Sequence, residues 1–215
     1  MSSPTIKNSI LEKVNPLFNF VDFFTLGFIA YQYFKLWYSP EIGDADKIFQ
    51  WAGLMGFEFI MVHSGVFMAA MPKKWSLLIF FPFYGLFALS FNQIIGGGNI
   101  VIYIYLFAVF NRMRYAFFDV SEEIQKKVIG KSVFAVLVYF FPLMAIVFGN
   151  KLVPELGLNE QSLAYIGYNN AKTHGGLFLD EPKTAMCLGV VYYSFLAIYS
   201  IPFWVTKRLF PSTSI

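Results

Sequence analysis

A single cysteine, Cys187, stands in the 215-residue chain, and it lies inside an apolar run. No intrachain disulfide can form, and no Cys-x-x-Cys or Cys/His cluster exists to bind zinc or run thiol redox chemistry. Charge is scarce as well. Asp, Glu, Lys and Arg make up 13% of the residues, where an ordinary soluble domain carries roughly a quarter, and that excludes the water-soluble globular class. The net charge of +3 is too small to recruit a polyanion, so nucleic acid is not an expected partner. Also missing are an arginine repeat for voltage sensing, a G-x-S-x-G elbow, a nucleotide-binding loop, an H-E-x-x-H helix and a carboxylate cluster suited to two metals. Most enzyme classes lose their support, and no catalytic residue, metal or cofactor is expected.

What the chain has in quantity is apolar length. Hydrophobic residues make up 57% and aromatic residues 20%, with 27 Phe and 13 Tyr. This composition, arranged in long runs, predicts an all-α integral membrane protein embedded in a lipid bilayer. The architecture expected is a single polytopic domain over 1–215: a bundle of about six transmembrane helices with an N-terminal interfacial helix. Ser3-Pro4 has the form of a helix start, and Ile6, Ile10 and Val14 recur at helical spacing, which suggests a short helix lying on the membrane surface. The stretch Met1 to Phe20 mixes acid and base and lacks a short apolar core ending in a small-residue cleavage site, so the N-terminus is expected to be retained.

The expected spans are 16–34, 48–71, 75–95, 99–117, 128–148 and 184–209, with Trp37 and Tyr38 as interfacial anchors after the first. Pro82, Pro142 and Pro202 fall inside three of them. Gly96-Gly97-Gly98 reads as a tight turn. A hydrophilic connection, 149–183, separates the last two spans, and a loop of that length without regular structure is commonly functional or disordered. An even number of spans puts both termini on one side. The basic clusters Lys73-Lys74, Arg112 and Arg114, Lys126-Lys127 and Lys207-Arg208 all share that side, so the positive-inside rule predicts cytoplasmic N- and C-termini. A faint echo between YGLFALS and YSFLAIYS suggests no inverted repeat, because a chain this rich in Phe and Tyr produces such echoes by chance.

The span 48–71 carries the unusual chemistry, Glu58 and His63 near its middle. An ionisable side chain at the centre of a bilayer costs on the order of 3 kcal/mol. The two groups are five residues apart, roughly 140° around the helix and about 7.5 Å along it, so they do not share a face and cannot chelate one metal between them. Glu58 shares its stripe with Leu54, Val62, Gly65 and Ala69, and His63 shares its own with Gly56, Phe59, Phe67 and Ala70. Small residues on both stripes allow close approach of neighbouring helices.

These features support a small transport or channel protein in which Glu58 couples to protons or binds a cation. His63, Asp22, Ser64 and Asn92 are the further candidates for an ion or proton pathway. A homo-oligomer or a place in a larger membrane complex is expected. One alternative is a non-catalytic subunit or assembly factor that docks through loop 149–183. Another is a membrane haem or metal protein using His63, which would need ligands from a second subunit because no other intramembrane histidine exists.

Overall fold

A computed structural model describes residues 6–70, 75–95, 98–99, 101–103, 105–106 and 122–201, with the backbone path alone for 6–19, 64–70, 76–77, 122–125 and 127–128. Among the described residues the fold is all-helical, without a strand. The long helices are α1 (Ile6–Tyr38), α2 (Ala45–Ala70), α3 (Phe81–Ile95, entered through a π turn over Ser76–Phe80), and α4 (Glu122–Phe148). Three short helices follow, α5 (Glu160–Tyr165), α6 (Tyr168–Ala171) and α7 (Leu177–Asp180), and the long α8 (Pro182–Tyr199) closes the described chain. Helix is the form expected of such sequences, because it satisfies every backbone group within the segment. Pro82, the second residue of α3, has no N–H to give and its ring crowds the turn before it. The wider π turn sits at that place.

Helices α1, α2, α3, α4 and α8 overlap the apolar segments 16–34, 48–71, 75–95, 128–148 and 184–209, and two details of the N-terminal half differ from expectation. The interfacial helix expected ahead of the first span is not a separate element: α1 runs unbroken through Pro16 for 33 residues. Trp37, expected as an interfacial anchor, is buried, and its indole Nε1–H donates to Pro154 O at 2.9 Å. Tyr38 beside it is exposed. Outside the described residues lie the helix start at Ser3-Pro4, the basic pair Lys73-Lys74, Gly96 and Gly97, most of the span 99–117 with Arg112 and Arg114, and the end of 184–209 with Pro202 and Lys207-Arg208.

Two helical segments, Leu78–Ile95 and Ile129–Phe148, are long and apolar enough to cross a membrane, with mean hydropathy 1.6 and 2.1. Only 17% and 11% of those windows are buried. They turn their apolar side chains outward: Leu78, Leu86, Leu89, Leu137 and Phe141 are all exposed. In water such a surface would be costly, since soluble monomers rarely expose contiguous apolar patches of more than a few hundred Å².

Helix α2 is shared by two cores. On one side Ile48, Ala52 and Met55 pack with Tyr33 and Leu36 of α1, Tyr139 of α4, and Met186, Leu188 and Tyr192 of α8. On the other, Phe57 and Met61 pack with Tyr84 and Ala88 of α3 and with Val101 and Tyr105. Close approach depends on glycine. A Cβ on Gly189 of α8 would sit 2.5 Å from the Tyr33 ring, and one on Gly53 of α2 would sit 2.7 Å from Ile95.

The connection 149–183, expected to lack regular structure, is instead an ordered cap over one end of α1, α2 and α8. Its Val153, Leu158, Ile166 and Tyr168 belong to the same core as Tyr33. Gly157 N–H donates to Trp37 O at 3.0 Å, and a Cβ there would lie 2.4 Å from Pro40 Cδ, so a side chain would lift the cap from α1. Asn159 accepts from Ser162 N–H to cap α5, and Gly167, at φ 77, supplies the left-handed turn between α5 and α6.

Candidate functional site

Glu58 lies at the middle of α2, where α1, α4 and α8 converge. The Tyr192 hydroxyl of α8 donates to Glu58 Oε1 at 2.8 Å. Tyr192 is wedged edge-on between Tyr139 of α4, ring centroids 5.4 Å apart, and Tyr193, 4.9 Å away. Tyr193 in turn stacks on Tyr33 of α1 at 5.7 Å, and Tyr33 meets Trp51 of α2 edge-on at 4.7 Å. Such offset and edge-to-face contacts are those that aromatic quadrupoles favour. Tyr33, Tyr139 and Tyr192 are no more than 2% exposed. Through Tyr192 the Glu58 carboxyl adjoins a run of four phenols in mutual ring contact, drawn from three other helices.

A buried phenol needs an acceptor for its hydrogen, and α2 supplies them in order. Tyr33 donates to Trp51 O at 3.1 Å and Tyr139 to Met55 O at 2.7 Å. One turn further, His63 Nδ1 lies 2.7 Å from Phe59 O. A carbonyl only accepts, so Nδ1 carries the hydrogen there. Trp51, Met55 and Phe59 follow one another at four-residue spacing, so one stripe of α2 carbonyls is engaged by side chains in succession.

The other sequence candidates are placed elsewhere. Asp22 of α1 forms an ion pair with Lys131 Nζ of α4 at 2.9 Å, on the partly exposed side of the bundle. Asn92 near the end of α3 donates through Nδ2 to Asn99 Oδ1 at 3.4 Å, while its own Oδ1 is buried without a hydrogen bond. The side chain of Ser64 lies outside the described residues. His63 packs against Phe59 at 4.3 Å, and Phe59 stands between it and Tyr139. Sequence reasoning passed over the four tyrosines as functional candidates. For Tyr139, Tyr192 and Tyr193 the position well inside a span was the available signal, since a phenol far from the interface must find a partner inside.

Among the described residues no group of three or more His, Cys, Asp or Glu side chains is placed to hold a metal ion. Ionic chemistry is concentrated around the cap and the first connection. Burial pushes the Asp44 carboxyl up, but the Lys47 hydrogen bond, the Glu41 amide and the charges of Lys47 and Lys35 outweigh it, so Asp44 titrates below its ordinary value. Asp180 is held low by the Gly176 amide and by Lys172, whose Nζ lies 3.0 Å from Oδ1. Burial raises the Tyr168 phenol, which donates to Leu179 O at 2.9 Å within the cap. Compared with family models, curated proteins and solved structures, the chain matched none.

Proposed function

We propose that this chain is a multi-pass membrane protein, its six apolar segments crossing the bilayer with both termini cytoplasmic, and that it acts as a transport or channel protein with Glu58 as its coupling site. The observation that carries this reading is the hydrogen bond from Tyr192 to Glu58. It joins α2 to α8 through a group that can change its charge. Loading or unloading the carboxylate alters the contact between the two helices, which is how occupancy by a proton or a cation becomes linked to helix movement. A carboxylate that served packing alone would carry an insertion cost of about 3 kcal/mol without that return. The outward-facing apolar side chains of α3 and α4 support the membrane setting.

The test is flux in proteoliposomes containing the full chain. Glu58→Gln keeps the shape and removes the titration, and it is expected to lower the flux at least about tenfold and flatten its pH dependence. Flux and pH dependence both unchanged in Glu58→Gln would sink the proposal.

A further inference from the structure

We infer that the species Glu58 exchanges is a proton, not a metal cation or an organic solute; the inference rests on Glu58 being the coupling site. The first ground is packing. The rings of Tyr33, Tyr139, Tyr192 and Tyr193 meet one another at contact distances beside the carboxyl that Tyr192 holds, and three of the four are almost wholly withdrawn from the surface. A solute with carbon atoms, or an ion with a hydration shell, would have to push these rings apart, whereas a proton needs no cavity.

The second ground is the polarity of the groups present. A hard cation requires about six to eight oxygen ligands with their lone pairs turned toward it. Here Tyr192 turns its hydrogen toward Glu58. The nearby α2 carbonyls that would serve as ligands are engaged by the hydrogens of Tyr33, Tyr139 and His63. The surroundings stabilise a carboxylate by donation. Once Glu58 binds a proton on Oε2, Oε1 is left as the carbonyl oxygen and still accepts from the Tyr192 hydroxyl. The carboxyl takes up one proton and one charge disappears, with no other bond made or broken.

Among the described residues, the titratable groups nearest Glu58 include Tyr192 and Tyr193 from α8, Tyr139 from α4 and Tyr33 from α1, with His63 further along α2. Phenols keep their protons at neutral pH, ordinarily up to about pH 10. His63→Gln serves as the control for the imidazole.

The test is an infrared titration of the full chain in lipid vesicles, following the protonated-carboxyl band that is present in the wild type and missing from Glu58→Gln. The band is expected to appear through a single titration as the pH is lowered, and to be indifferent to added Na⁺, K⁺ or Ca²⁺. Tyr192→Phe keeps the ring and removes the donor. It should move the midpoint upward by about one pH unit, because the donor favours the charged carboxylate. This second variant keeps the test sound even if Glu58→Gln folds poorly. A midpoint displaced by any of the metal ions, a midpoint unmoved in Tyr192→Phe, or no such band at any pH at which the protein stays folded overturns the inference. A Glu58 that titrates in a protein without flux would overturn the coupling role and leave the proton assignment standing. Flux lost in Glu58→Gln together with a metal-sensitive band would do the reverse.

Discussion

Glu58 and His63 sit five residues apart on one helix, and the structure commits them in opposite ways. Glu58 is held by Tyr192, 134 positions away in the chain and on another helix. His63 is held by Phe59 O, one turn back on its own helix. An ionisable side chain satisfied within its own helix imposes nothing on the neighbours, and its substitution disturbs little beyond that turn. One satisfied by a second helix makes the packing of both depend on its charge. The two faces of α2 thus separate a polar group that links helices from one that is locally complete, a distinction invisible in their shared rarity.

The comparison is broken most severely from the far side of the junction. Gly189→Ala would place a methyl 2.5 Å from Cγ and Cδ1 at the root of the Tyr33 ring, where no rotation of the ring about its axis clears it. Either α1 and α8 move apart or Tyr33 leaves its rotamer, and with it go the stack on Tyr193 and the bond to Trp51 O. Overpacking of this kind costs typically 1–3 kcal/mol, and a loss near 3 kcal/mol is expected. Thermal unfolding of the purified variant against wild type measures it, and a variant as stable as wild type would show that the junction is not held by close approach of these helices.

How much of this was legible in the sequence follows from the range of each interaction. The apolar runs gave the long helices, because hydropathy and length are local properties, and Glu58 stood out because a charge in such a run is expensive. The rest depended on contacts between distant positions. The tyrosines could be seen to need acceptors, but nothing near Tyr139 in the chain points to Met55, 84 positions away. The order of the cap is hidden from the sequence for the same reason. Its order comes from Trp37 donating to Pro154 and from Gly157 fitting under Pro40, while its own composition reads as turns. Trp37 has the composition of an interfacial anchor and the placement of a core residue.

A milder perturbation sharpens the comparison without dismantling the junction. Tyr139→Phe keeps the ring against Tyr192 and removes the hydroxyl that donates to Met55 O. That carbonyl lies within α2 and keeps its backbone partner one turn on, so no buried acceptor is orphaned, and the expected cost is about 1 kcal/mol. The same unfolding measurement reads it. A cost of several kcal/mol would mean that the phenol supports more of the Glu58 surroundings than this one bond.

The smallest effect is expected on the other face. His63 is partly exposed and its described hydrogen bond is to its own helix; Phe59 O also lies within α2, one turn before residues that continue the helix to Ala70. Replacing the imidazole by glutamine, a good helix former, removes one local bond, and stability should change by no more than about 0.5 kcal/mol. Flux and its pH dependence should match wild type, since among the described residues no inter-helix hydrogen bond or ion pair rests on the ring. The decisive outcome is specific. If His63→Gln abolished the pH dependence of flux while Glu58→Gln preserved it, the roles of the two faces of α2 would be exchanged, and the imidazole would be the coupling group.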